Sequence, residues 1–125
     1  MQIINNINIT DNVCKQEQQN GENIDFFSNI NEIEKIAEQA GGLNDLFFEF
    51  AAPYVELLCN EFQISQTGAA LFAILVSLYK GDDIRLENLT SHLKLKFIKM
   101  LPYKKELEIL EQKRLIQIIR KKLFV

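Results

Sequence analysis

Histidine is almost missing from this chain of 125 residues: His92 is the only one. That excludes a His-pair metal site and any Ser/His/Asp or Cys/His arrangement of ordinary spacing. His92 itself is expected to pack or to face out of a short helix rather than to catalyse. Cysteine is nearly as scarce. Cys14 and Cys59 stand at no metal spacing, and Cys59 falls in a helical pattern, as a small buried hydrophobe does. Two such thiols without a leader segment fit a reducing cytoplasm. The chain opens with no positive n-region and no apolar h-region. Its longest apolar run, residues 69–76 extended by Leu78 and Tyr79, falls far short of the ~20 residues that span a bilayer. No membrane partner is expected. No G-x-x-x-x-G-K-[ST] occurs, so no phosphate-cradling loop lies in these residues. The acidic pairs Glu32/Glu34 and Asp82/Asp83 fall on a helix start and a turn, with no neighbour to raise a carboxyl pKa. No catalytic residue, cofactor or metal ligand is assigned, and an enzyme acting alone is not expected.

Basic residues are also scarce, but only in the first two thirds. Residues 1–83 hold 3 Lys/Arg against 13 Asp/Glu, a net of −10, whereas residues 84–125 hold 11 against 4, a net of +7. The overall −3 hides this division. A single-sign field on one part of a domain attracts opposite charge, either phosphate or an acidic protein face.

The length suits one domain, and an apolar fraction of 47% is enough for a core. Residues 1–22 are rich in Asn and Gln without a continuing apolar period, and are expected to be a disordered, dispensable arm. Asn20–Gly21 has polar flanks that do not alternate, so no hairpin is assigned there. Ile30, Ile33, Ile36, Ala37 and Ala40 predict a helix over 29–40 with Ser28 as N-cap, stopped by Gly41 and Gly42. A second helix is expected over 44–62, capped by Asn44 or Asp45, with a broad apolar band from Leu46 to Phe62 and a kink or break at Pro53. Ser65 caps a third helix over 66–79, apolar almost all round and therefore the buried centre.

A turn at Asp82 and Asp83 leads to a strand stub at 84–85 and a short helix over 86–93. Lys94, Leu95 and Lys96 form a tight connection without glycine or proline. A longer helix is expected over 97–113, with Met100, Tyr103, Leu107 and Leu110 on one face and Pro102 bending it or resetting its start. Residues 115–119 are β-branched and read as a strand able to pair with the stub at Ile84. Strand stub, helix, tight turn, helix, strand is the winged-helix order, with the wing's return strand missing and an open edge that invites self-association there or through Leu123–Val125. The fold class is mainly α with a small β-wing: a winged-helix-like helix–turn–helix domain over 23–125, its core at 65–125, with packing helices at 29–62 in front.

In that order Lys94, Lys96 and Lys99 bracket the turn, and Lys104 and Lys105 follow on the second helix. Arg120, Lys121 and Lys122 lie where a wing reaches a backbone phosphate. These eight are the candidate contacts for nucleic acid or an acidic partner. Against a reading role, residues 96–105 contain no Arg, Asn or Gln for bidentate base contacts. Lys104 and Glu108 are also spaced to pair with each other, and the acidic first half could neutralise the basic third within the protein.

The segments ISQTGAALFAIL, DIRLENLTSHL and KELEILEQKRLI carry a resemblance, from about Phe47 to Arg120, to the N-terminal winged-helix region of AAA-type ATPases common in Bacteroidetes bacteria. The resemblance implies that an ATP-binding domain follows in the parent protein, and no nucleotide residue is carried over to this chain. Two features depart from the pattern: Lys94, Leu95 and Lys96 replace a small polar turn, and Pro102 interrupts the helix after it. The expected function is a non-catalytic regulatory or recognition module of a bacterial ATPase. It would contact DNA weakly and nonspecifically, or else a protein, either the ATPase domain or another acidic surface. Two alternatives are a stand-alone winged-helix transcription regulator and a dimerisation or protein-interaction domain that forms a homodimer through residues such as Leu101.

Overall fold

The computed structural model describes residues 2–10, 22–95 and 97–122. The chain is mostly helical with a small antiparallel sheet. In order, the elements are β1 (Gln2–Ile9), α1 (Glu22–Ala40), α2 (Asp45–Phe62), α3 (Gln66–Leu78), β2 (Ile84–Arg85), α4 (Leu86–Leu93), a 3-10 turn (Phe97–Met100), α5 (Leu101–Gln112) and β3 (Ile116–Lys122).

Helix α3 is the centre, as its composition requires. Its residues from Gly68 to Leu75 are all buried, and α1, α2, α4 and α5 each pack on it. Ser65 Oγ caps it, accepting from Gly68 N–H at 3.0 Å. Asn44 does the same for α2, accepting from Phe47 N–H at 2.9 Å. Pro53 sits within α2 without breaking it. Its ring faces solvent, and the helix forgoes one backbone donor there.

Helix α1 starts earlier than its apolar period suggested. Ser28 is exposed and lies inside the helix, so it is not the N-cap. The extra turns follow Phe26, which is buried edge-on to Phe62 and tilted against Phe72, at ring distances of 6.0 and 6.4 Å. At the other end Gly42 donates its N–H to Ala37 O at 3.0 Å with φ +132°. A Cβ there would stand 3.1 Å from the Leu93 carbonyl, so glycine is needed both for the conformation and for the approach of α4.

The largest correction concerns the N-terminus. Residues 2–9 are not a free arm; β1 is the middle strand of the sheet, in the order β2-β1-β3. Ile7 and Ile9 are 0% and 3% exposed. Ile7 lies opposite Ile84 on one side and Ile118 on the other. Thr10 closes the ladder, donating its N–H to Leu115 O and its hydroxyl to Arg114 O. A register shift between Ile4 and Asn6 inserts one residue, so clean alternation begins only at Asn6. The rest of the expected arm, including Asn20–Gly21, lies outside the described residues. Strand β3 thus pairs with β1, not with the stub at Ile84, and continues through Lys122.

The basic third otherwise follows its periodicity. Helix α4 spans Leu86–Leu93, and Lys94 makes the turn by adopting the left-handed conformation, φ 57° and ψ 41°. Lys94 N–H and Leu95 N–H satisfy the Ser91 and Thr90 carbonyls. The expected helix over 97–113 is divided: a 3-10 turn ends at Met100, and Pro102 sits in the first turn of α5, where its missing N–H costs nothing. Met100, Leu107 and Leu110 face the core, with Tyr103 partly covered.

Candidate basic interface

The candidate cations separate into a strip and a flank. Lys94 at the end of α4, Lys99 in the 3-10 turn, and Lys104 and Lys105 on α5 are all exposed. None makes an ion pair among the described residues; in particular Lys104 and Glu108, spaced to pair, do not. The turn and the buried face of α5 fix this arrangement. With Leu107 and Leu110 held in the core, positions 101, 104, 105 and 108 are left to solvent. Lys94 also sits at a helix C-terminus, where a cation is favoured by the helix dipole. Lys96 lies outside the described residues.

The flank is different. Arg120 is bound in a fork by Glu111, at 3.0 Å to Oε1 and 3.3 Å to Oε2. The same carboxylate accepts the Ile118 N–H at 3.0 Å, on the edge of β3 that β1 does not cover. Arg120 is therefore paired within the fold, unlike the lysines of the strip. The open edge expected of this strand is partly blunted by Glu111. The Arg120 hydrogen bond above all, and the Ile118 N–H after it, hold the Glu111 carboxyl below its ordinary pKa against an upward push from burial. Lys121 and Lys122 extend the strand backbone beside Ile3 and Gln2.

His92 packs. Its Nε2 lies 3.4 Å from Glu34 Oε1 with both side chains about three-quarters buried, which ties α4 to α1. Cys59 is half-buried and free, and burial pushes its thiol pKa up, as in a packing cysteine rather than a nucleophile. Among the described residues no group of three or more His, Cys, Asp or Glu is placed to hold a metal ion. No single helix there is long and apolar enough to cross a membrane.

Two contacts were not anticipated. Ser65 Oγ, besides capping α3, donates to Glu106 Oε2 at 2.6 Å and so joins α3 to α5. Glu111 is the other, described above. Neither has a sequence signal: Ser65 and Glu106 are 41 residues apart, and Glu111 reaches Arg120 across a turn that spacing does not specify. A third omission was legible: the apolar band on α2 is too wide for one face. Phe47, Ala51, Val55 and Leu58 are buried, and Leu46, Phe50 and Leu57 remain 50–61% exposed.

No protein-family model, curated protein or solved structure matches the chain.

Proposed function

We propose that this chain is a non-catalytic recognition module of winged-helix type that lays its turn and the start of α5 on the phosphate backbone of duplex DNA. The observation that carries this reading is the strip Lys94, Lys99, Lys104 and Lys105, exposed on one connected stretch and in no ion pair among the described residues, while Glu34 and Glu111 take up His92 and Arg120 instead. The succession α3, β2, α4, left-handed turn, α5, β3 supports the winged-helix assignment. Strand β1 stands in the place of the return strand that the sequence order left missing.

The chemistry favours affinity without readout. Lysines are point charges, and residues 96–105 offer no Arg, Asn or Gln to a base edge. Binding is expected at a Kd of about 10⁻⁴–10⁻⁶ M, with a salt slope of about −0.9 per phosphate neutralised. Fluorescence anisotropy of two unrelated duplexes at low and moderate salt tests this. Both should bind alike, and Lys99→Glu with Lys104→Glu should abolish binding without lowering the melting temperature. No binding at low salt refutes the reading.

The resemblance to ATPase N-terminal regions supports a parent ATPase that this module positions. A P-loop encoded downstream of Val125 would favour that setting. A stop codon there would favour a stand-alone regulator.

A further inference from the structure

Four large hydrophobic side chains are exposed among the described residues. Leu46, Phe50 and Leu57 form a stripe on α2, and Leu101 stands 60% exposed at the start of α5. The stripe borders an open groove of about 400 Å³ between α1 and α2, floored by Ile36 and Ala40 and walled by Leu46, Phe50 and Tyr54. Gln39 and Tyr54 bring polar groups to an otherwise apolar lining, with no charged side chain among them, fewer converging donors and acceptors than a small-molecule site has. Its surroundings are acidic: Glu49 and Glu56 flank the stripe, and residues 22–63 carry nine acidic residues and one basic. Leu101 has the opposite setting. Lys99, Lys104 and Lys105 surround it, and residues 94–105 carry five lysines and no acid.

We infer that the α1/α2 groove is a docking site for a second copy of this chain, which inserts Leu101 between Leu46 and Phe50 and sets its lysines against Glu49 and Glu56. The two surfaces match in shape class and in charge, an apolar cleft rimmed by carboxylates and an apolar knob rimmed by ammonium groups. Leu101 is exposed in its own chain, so its own groove does not cover it. The contact is head-to-tail: each copy offers one groove and one knob, and association continues past a dimer unless the rotation closes a ring. Because the charge rim is exposed, added salt weakens it. The inference stands whether or not the lysines also meet DNA.

Sedimentation equilibrium of the full chain, without nucleic acid, tests it. The wild-type average mass should rise past a dimer with concentration and fall with salt. Phe50→Glu spoils the groove and Leu101→Glu spoils the knob, so each variant alone should stay monomeric with an unchanged melting temperature. An equimolar mixture of the two should form a dimer that grows no further, since one intact groove meets one intact knob. If either variant melts low, Leu46→Glu replaces the first and Lys104→Glu with Lys105→Glu the second. A wild type that stays monomeric at the highest concentration overturns the inference. So does association that neither variant changes, association that Leu101→Glu leaves intact, which would mean a symmetric contact of groove on groove, or a mixture of two monomeric variants that remains monomeric.

Discussion

Residues 22–63 and residues 84–122 meet on the same apolar helix, α3, yet present opposite charge to solvent. The inward faces are alike: Ile30, Ile33, Phe47 and Val55 on the acidic side, Leu89, Leu93, Leu107 and Leu110 on the basic side, all buried. Only the outward positions differ. The seam between the halves uses little of that charge. Glu34 meets His92, and Glu106 of the basic half turns inward to Ser65, but none of the exposed lysines is neutralised there. Among the described residues, no Asp or Glu of the acidic half lies within ion-pair distance of a lysine or arginine of the basic half. Solubility and a common core demand no such segregation.

The strongest way to break the comparison is to remove residues 1–10. No strand pairing joins β1 to the acidic half, whereas among the described residues β1 lies between β2 and β3 in the sheet. Truncating even one buried isoleucine costs about 2–5 kcal/mol, and this deletion removes both Ile7 and Ile9 with every ladder bond. Hydrogen exchange should show the β3 amides fully unprotected while α1 and α2 keep part of their protection. An unchanged melting temperature would refute the placement of β1. Next in size is Ile74→Ala in α3, expected to cost about 2–5 kcal/mol. Because both halves rest on this helix, amides of α1 and of α5 should lose protection together. Loss on one side alone would mean the halves fold as separate units.

Where local pattern and tertiary structure agree, the sequence was readable. Ser65, Asn44 and the glycines after Ala40 mark helix ends by their own hydrogen bonds or conformations, and α4 ends at Leu93 as its leucine spacing implies. The strand nature of residues 2–9 was not readable, for two physical reasons. The inserted residue between Ile4 and Asn6 breaks the period of two, and the strand's partners lie at Ile84 and at Ile116–Lys122, beyond any local window. Phe26 hid the true start of α1 in a similar way, since its partners Phe62 and Phe72 belong to other helices. At the candidate site, the lysine strip followed from charge and period. That Arg120 is spoken for did not, because Glu111 reaches it across the turn from α5 into β3.

That turn gives the smallest and sharpest test, Glu111→Gln. The Glu111 carboxyl is held below its ordinary pKa by Arg120 and by the Ile118 N–H. A depressed carboxylate pKa contributes stability that is present above the unfolded value and is lost as pH falls through the folded one. The wild type should therefore lose this contribution on acidification from near pH 5 downward, and the variant should not. Glutamine keeps an acceptor for Ile118 N–H, so only the ionic part is removed. Both side chains are about a third exposed, which limits the difference at pH 7 to about 0.5 kcal/mol or less. Urea titrations of both proteins at pH 7 and pH 3 measure it, and the gap should close at the lower pH. A gap that stays constant would show that Glu111 acts by packing and not by charge. The variant also releases Arg120, adding one free cation to the basic half. If that half does meet phosphate, the variant should bind duplex DNA with a steeper salt dependence than the wild type, by about one contact.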